Sequence, residues 1–233
     1  PAHIGQVVQE LHDALAPYMA NKTVTSVIND TYNRELERYG SNSIDAIEDY
    51  FHLDSDTILR FLSMIDGPEG EECRWRFGMK LTDDLLTAFG FDLKQKMEFT
   101  EKRAADFGRE FGYNAGLKKQ LDARYKDVEP ALQELFALAN PEHAFFYDLS
   151  HQRTENLQLM IDYVRMLYAQ SELQISLEDL LASLVHMNIN RLFRSQQRLV
   201  EYMVFYHLHK YYRINYGRNV LAKKSANSNV TAQ

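Results

Sequence analysis

The spacing of apolar residues predicts helices along most of the chain. From Ile4 to Met19 apolar residues recur every three or four positions, which is the period of one helix face. The same period predicts helices over residues 44–51, 55–65, 71–89, 92–111, 115–139, 156–171, 177–192 and 196–216. Ser43 and Asp54 precede the first two of these, and both residue types commonly cap helix N-termini.

One segment has a different pattern. Residues 23–32 are rich in valine, isoleucine and threonine, and this composition predicts a β-strand. A single strand cannot form a sheet, so we expect its partner strands upstream of Pro1 or on another chain. The predicted fold class is α+β and predominantly helical, with a small N-terminal sheet portion followed by a multi-helix bundle.

The chain has one clear internal break, at the glycine- and proline-rich residues 66–70. We predict one domain over residues 1–217, in which 1–66 hold the strand and short helices and 71–217 hold the helical part. Residues 218–233 end in a polar stretch of serine, asparagine and alanine, which predicts a disordered tail.

The composition narrows the function classes. The chain has 233 residues, 45% hydrophobic and 25% charged, as in a soluble globular protein, and its net charge of −7 argues against direct binding of nucleic acid or membrane. Cys73 is its one cysteine, which excludes an internal disulfide and favours a reducing compartment. With no apolar run of membrane-spanning length and no signal sequence, a cytoplasmic location is predicted.

A histidine in the predicted helix 177–192 is the first candidate for chemistry. At about 100° per residue, His186 lies opposite Leu177, beside Asn190 and near the small residues Ala182 and Ser183. A lone helical histidine is most often structural or exposed, but these small neighbours leave room for a ligand. Histidine titrates near neutral pH and can act as a general acid or base. The apolar stripe of this helix comprises Leu177, Leu180, Leu181, Leu184, Val185, Asn188 and Leu192.

Arg191 falls back toward that apolar stripe. A buried guanidinium without a counter-charge is very unfavourable, so we predict a carboxylate partner for it. A structural ion pair is the favoured interpretation.

A second candidate is the charged segment Arg34, Glu35, Glu37 and Arg38, which Tyr39 and a glycine turn follow. If the segment is extended, Arg34 points away from Glu35; if it is helical, Glu35 and Arg38 can pair at i,i+3. Such a charge run is ordinarily a solvated face. A guanidinium, however, can bind a carboxylate or phosphate through two parallel hydrogen bonds.

Other chemistry is poorly supported. The last helix interleaves tyrosines with basic residues, a pattern that is more often core packing than base stacking. The chain contains no zinc, P-loop, dinucleotide or nucleophile-elbow motif, and we predict no metal and no cofactor.

Three separated blocks carry a resemblance. They are Asp30-Thr-Tyr-x-Arg-Glu-x-x-Arg-Tyr-Gly40, then Glu48 with Phe51-x-x-Asp54-Ser55, then His186-Met-x-x-Asn190-Arg191. In order and spacing they resemble the C-terminal elimination domain of class I lantibiotic dehydratases, a family with free-standing members in thiopeptide biosynthesis. The resemblance runs from about Pro1 to Tyr216.

The resemblance implies a lyase-type enzyme of antibiotic biosynthesis. In that family a glutamylation domain or separate protein uses glutamyl-tRNA to esterify serine or threonine of a ribosomally made precursor peptide. The elimination domain then removes glutamate and leaves dehydroalanine or dehydrobutyrine. The resemblance implies catalytic roles for His186, Arg38 and Glu35, and substrate-binding roles for Arg34, Tyr39, Asn190 and Arg191. The implied partners are the precursor peptide and the glutamylating domain, and a homodimer is left open.

The chain also departs from the family. A strand with the pattern His-x-Arg-x-Arg, which includes an arginine needed for elimination, precedes the first helix in the family, and His3 to Gln6 do not match it. We therefore expect this chain alone to lack part of its active site. Two rival functions stay open: a pyridine-forming cyclase of thiopeptide biosynthesis on the same fold, and a non-catalytic domain that binds a precursor peptide.

Overall fold

The structure is a computed structural model that describes residues 3–28, 30–65, 69–137 and 144–230. It divides into two compact units, residues 1–34 and residues 35–233. The first unit contains α1 (Ile4–Ala20). The helices of the second are α2 (Leu36–Tyr39), α3 (Ile44–Met64), α4 (Glu69–Ala88), α5 (Leu93–Glu110), α6 (Ala115–Ala137), α7 (Ala144–Asn156), α8 (Gln158–Ala169), α9 (Leu177–Leu192) and α10 (Gln197–Val230).

The predicted α+β fold with an N-terminal sheet portion is wrong. All regular secondary structure in the described ranges is helical, and the described residues between 23 and 32 form turns and irregular chain. Ile28, at the centre of the predicted strand, is 83% exposed. β-Branched composition reports a side-chain preference, whereas a strand also needs a neighbouring strand for its backbone hydrogen bonds, and the described part of the chain provides none.

The two helices predicted over residues 44–51 and 55–65 are one continuous helix, α3. Asp54 does not cap a helix; it is fully buried in the middle of α3, where arginines from other helices hold its carboxylate. Ser43 stands at the N-cap position, but its hydroxyl donates to the carbonyl of Tyr39 instead of accepting from the first turn. The sequence predicted both residues as helix caps because it does not show their actual partners. These are distant arginines for Asp54 and the preceding Tyr39 carbonyl for Ser43.

Most of the later predicted helices agree with the structure. α9 has the predicted bounds, and α4, α5 and α6 begin within two residues of prediction. α7 was missed, and the segment predicted as a helix over 156–171 begins at Gln158 as α8. α10 continues to Val230, through most of the segment predicted as a tail. The predicted break at 66–70 lies largely outside the described residues, since the description resumes at Glu69 in α4.

Two local features place the elements of the site. Gly40 adopts φ +77° in the predicted turn between α2 and α3, a conformation that favours glycine. The residues after it tie this turn to the loop before α9, because Ser41 N donates to Gln174 Oε1 at 2.7 Å and Asn42 Nδ2 donates to the carbonyl of Glu172 at 2.8 Å. This connection brings α2 beside α9.

α9 is positioned at its start and along its length. Ser176 caps it, accepting a hydrogen bond from the backbone of Asp179 at 3.1 Å. Gly78 of α4 allows close approach, since a Cβ there would lie 3.2 Å from Ile189 Cδ1. The cap sets where the helix begins, and the close contact sets which face of α9 is turned toward the core.

α5 and α10 form the most extensive helix pair of the second unit. Phe107 on α5 stacks between Tyr202 and Phe205 of α10, with ring centroids 6.0 Å apart in each case. A smaller apolar cluster, including Phe61 of α3 and Phe77 of α4, lies under α7. The main core cluster contains buried residues of both α9 and α10, and this packing holds the two helices in fixed relative positions.

No helix in the described ranges has both the length and the apolar character that crossing a membrane requires. In the first unit, the face of α1 that carries Ile4, Val7 and Leu11 is exposed, and the helix has no buried residue.

The buried His207 of α10 makes stability depend on pH. Its ring is fully buried beside Trp75, and burial lowers its pKa from the usual 6.5 to about 4. Between these values the unfolded state binds a proton that the folded state does not. The free energy of unfolding should therefore fall by up to roughly 3 kcal/mol as the pH drops from about 6.5 to about 4. Urea unfolding at several pH values should give a flatter profile for His207→Gln than for wild type, whereas His52→Gln, at an exposed position of α3, should keep the wild-type slope.

Candidate active site

The imidazole of His186 on α9 lies between two partners. Its Nδ1 is 2.8 Å from Glu201 Oε2 on α10, and its Nε2 is 3.0 Å from Asn190 Nδ2, one turn further along α9. The Glu201 side chain is 5% exposed and that of His186 is 19% exposed. The carboxylate is therefore buried while the ring still reaches solvent.

With the amide nitrogen of Asn190 facing the ring, these contacts match one tautomer of the neutral imidazole. The amide nitrogen of Asn190 can only donate, so Nε2 of His186 accepts and is unprotonated in the neutral ring. Nδ1 then carries the hydrogen and donates it to Glu201. A carboxylate in that position orients the ring and stabilises the imidazolium that forms when Nε2 takes up a proton.

Arg38 of α2 reaches the same part of α9. Its Nε donates to Ser183 Oγ at 3.2 Å, and its NH1 lies 3.3 Å from Glu35 Oε2. Ser183 precedes His186 by one turn, so this hydrogen bond places the guanidinium on the His186 face of α9. The i,i+3 pairing of Glu35 with Arg38, one of the two predicted alternatives, is confirmed.

Arg38 and His186 line one cavity of about 270 Å³, with α5, α9 and α10 as its walls. Two more arginines enter it. Arg103 of α5 pairs with Asp179 at 2.7 Å, and Arg198 of α10 pairs with Glu110. The other lining residues are Asp106, Phe107, Ala182, Ser183, Glu201 and Phe205.

The other predicted site residues have different surroundings. Asn190 contacts His186 directly. Tyr39 is 2% exposed and packs edge-on against Phe51, with ring centroids 5.3 Å apart, so it lies in the core. Arg34 is exposed in the first unit, outside the unit that contains the cavity.

Arg191 has the carboxylate partner that was predicted for it. Its NH1 lies 3.2 Å from Oδ2 of the buried Asp54, while Oδ1 of Asp54 accepts from Arg153 Nε at 2.8 Å and from Asn188 Nδ2 at 3.0 Å. Arg153 also donates to the hydroxyl of Tyr50 at 2.9 Å. This network joins α3, α7 and α9, and burial raises the pKa of Tyr50, which keeps its hydroxyl protonated.

The sequence reasoning missed Glu201, Arg103 and Arg198. The sequence does contain a feature that indicates Glu201. At helical spacing it lies on the same apolar stripe as Phe205, Leu208 and Tyr212, and a carboxylate buried on such a stripe needs a hydrogen-bonding or charged partner. The two arginines carried no signal, because each lies on a helix surface with ordinary charge spacing and enters the cavity only through packing.

Potential metal ligands do not cluster in the part of the chain that the structure describes. In the described ranges no group of three or more histidine, cysteine, aspartate or glutamate side chains converges as metal ligands would. The ionisable groups that line the cavity are the His186–Glu201 pair, three guanidiniums, and the carboxylates of Asp106, Glu110 and Asp179.

Comparison with known families gives a match over most of the chain. Residues 1–212 match the sequence model of one protein family, the lantibiotic biosynthesis dehydratase C-terminal domain. The chain belongs to this family. The match spans α1 through most of α10, so every side chain of the cavity lies within the lantibiotic dehydratase C-terminal domain. No curated protein and no solved structure matches the chain.

Family membership connects the chain with the dehydration steps of lantibiotic biosynthesis. Within this dehydratase domain, the second and third sequence blocks of the predicted resemblance meet through the contact of Asp54 with Arg191, and Arg38 of the first block contacts Ser183, which lies just before the third block. Residues that are more than a hundred positions apart in the chain thus form one continuous set of side chains.

Proposed function

We propose that this domain removes glutamate from glutamylated serine or threonine residues of a precursor peptide, by β-elimination in the cavity of His186 and Arg38. The observation that carries the proposal is the meeting of a carboxylate-oriented imidazole and the Arg38 guanidinium in one cavity. β-Elimination needs a base at the substrate Cα, a positive environment for the charge that develops, and a leaving group that departs as an anion.

In this proposal Nε2 of His186 is the base. The substrate displaces the amide of Asn190 from Nε2, and the nitrogen takes the Cα proton while Nδ1–H remains bonded to Glu201. The electron pair of the C–H bond forms the Cα–Cβ double bond, and the Cβ–O bond breaks. Glutamate leaves as a carboxylate with the electron pair of the broken Cβ–O bond, and the imidazolium later returns its proton to solvent.

Arg38 stabilises the negative charge in this reaction. Its guanidinium is held by Ser183 and Glu35, so it is oriented before the substrate binds. Arg103 and Arg198 line the same cavity, where each is paired with carboxylates that also line it. Fixed charges of this kind act without reorganising during the reaction, which is why they contribute strongly to catalysis.

The direct test is mass spectrometry of a glutamylated precursor peptide incubated with the complete native protein. Conversion of the ester to a dehydrated residue, with release of free glutamic acid, supports the proposal. Intact glutamylated peptide after incubation with the wild-type protein would contradict it. Release of the leader peptide from a substrate rich in dehydroalanine, without any glutamyl ester, would instead identify a pyridine-forming cyclase. The proposed partners are this precursor peptide and the domain or protein that glutamylates it from glutamyl-tRNA.

Replacing Arg38 by Gln should slow elimination by about 10²-fold, the loss typical of removing one preorganised donor from a developing negative charge. Single-turnover conversion of the glutamylated peptide measures this rate. Arg76→Gln is the matched control, since Arg76 also pairs with a glutamate of its own helix, at 3.2 Å, but does not line the cavity. An Arg38→Gln rate equal to that of Arg76→Gln would remove Arg38 from the mechanism.

A further inference from the structure

A second cavity, of about 670 Å³, lies where α4 and the C-terminal end of α9 meet the start of α10. Its volume is in the range of small-molecule sites. Arginines dominate its polar lining: Arg74 of α4, Arg191 of α9, and Arg194 in the short connection to α10. Among the lining residues that the structure describes, none is acidic. The rest of the lining comprises Leu62, Ile65, Gly70, Asn190, Leu192, Phe193 and Gln197.

Two of the three arginines of this cavity have no ion-pair partner among the residues that the structure describes. In the described ranges neither Arg74 nor Arg194 has a carboxylate within salt-bridge distance. Nε of Arg74 is buried and has no hydrogen-bond acceptor. Arg191 pairs with Asp54, but the same carboxylate also neutralises Arg153. A buried donor without an acceptor is unfavourable, and a bound anion would supply the acceptor.

The cavity can also accept hydrogen bonds from a cation. Nδ2 of Asn190 is used by His186, and Nε2 of Gln197 donates to the carbonyl of Phe193 at 3.0 Å. The oxygens of these two amides carry no hydrogen bond to the described residues. Guanidinium donors together with amide acceptors match a molecule that bears carboxylates and an ammonium group, and they match inorganic phosphate less well.

We infer that this second cavity is a binding site for free glutamate, the product that the proposed elimination releases. The inference rests on the proposed function. Asn190 connects the two cavities: its amide contacts His186 Nε2 and its side chain lines the arginine-rich cavity. Glutamate that leaves the first cavity would therefore find neighbouring arginines for its carboxylates and amide oxygens for its ammonium group. Arg74 and Arg194 are the residues assigned to hold it.

Thermal unfolding of the full protein in increasing glutamate, at ionic strength matched with sodium chloride, tests this site without any turnover. A ligand that binds only the folded state raises the Tm, and the concentration dependence yields the Kd. We expect glutamate to raise the Tm beyond the chloride control. Arg74→Gln and Arg194→Gln should each raise the Kd by about tenfold, the effect of losing a charge-assisted hydrogen bond. Arg165→Gln, at an exposed position of α8, should bind as the wild type does.

Three results would overturn the inference: a Tm that glutamate raises no more than chloride does, an unchanged Kd in both Arg74→Gln and Arg194→Gln, or tighter binding of inorganic phosphate than of glutamate. His186→Gln separates this site from the proposed reaction. That variant should lose elimination and keep the glutamate-dependent rise in Tm. A protein that binds glutamate at Arg74 and Arg194 but does not eliminate it would retain the site and lose the proposed function.

Discussion

Replacing His186 by Gln should lower the rate of glutamate elimination by roughly 10²- to 10⁴-fold, the usual contribution of a positioned general base. Glutamine is polar and similar in reach, but its amide cannot accept the Cα proton at neutral pH. Glutamylated precursor peptide should accumulate, and mass spectrometry over a time course measures the change. Binding of the peptide should be little affected, because the arginines of the cavity remain.

Two further variants define the role of His186. Glu201→Gln keeps a hydrogen-bond acceptor near Nδ1 but removes the charge that stabilises the imidazolium, so its rate should fall between those of wild type and His186→Gln. His151→Gln replaces an exposed histidine of α7 and should leave the rate unchanged. Wild-type elimination by His186→Gln would exclude this ring as the base, and a Glu201→Gln rate equal to wild type would exclude the proposed pairing.

Replacing Asp54 by Asn should reduce the free energy of unfolding by roughly 3–5 kcal/mol, the cost of removing one partner from a buried ion pair. Asp54 and Arg153 are both almost completely buried, and the carboxylate also binds Arg191 and Asn188. Asparagine has a similar shape, so packing is preserved and the loss reports the charge. Two guanidiniums would then lie together without a counter-charge, and Arg153 could not reach water.

Urea unfolding measures this loss, with Asp56→Asn as the matched control. Asp56 lies on the same helix two residues away and is exposed, so its neutralisation should change stability by less than about 0.5 kcal/mol. Equal stability of the two variants would show that the Asp54 carboxylate is not needed to hold α3, α7 and α9 together. Arg191 contacts Asp54 and also lines the arginine-rich cavity. Glutamate binding by Asp54→Asn should therefore be measured only under conditions in which that variant is folded.

The sequence predicted the helices around the site because their signals are local. The apolar stripe of residues 177–192 predicted α9 with its observed bounds, and the helical phase placed Asn190 beside His186. The same helical phase placed Arg191 on the apolar side of α9. Because a buried charge must be neutralised, a carboxylate partner was predicted for it, and Asp54 is that partner. These predictions use only the period of the helix and the cost of burying charge.

The wrong predictions share a cause. A run of β-branched residues predicted a strand at 23–32, and an aspartate in the middle of α3 predicted a helix start at Asp54. Whether a β-branched segment becomes a strand depends on a neighbouring strand, and whether an aspartate caps or lies buried depends on its distant partners. In both cases the structure depends on a partner from another part of the chain: a neighbouring strand for residues 23–32 and the arginines for Asp54. Local composition does not show whether such a partner is present.

The sequence by itself therefore determined that the second unit is built of helices, which residues share a face of α9, and which family the chain resembles. Only the tertiary structure decided that Glu201 orients His186, that Arg38 lies against Ser183 at a separation of 145 residues, and that three arginines meet in a second cavity. Helical phase follows from local backbone geometry. Contacts between helices depend on how side chains of the whole core pack, which no single segment specifies.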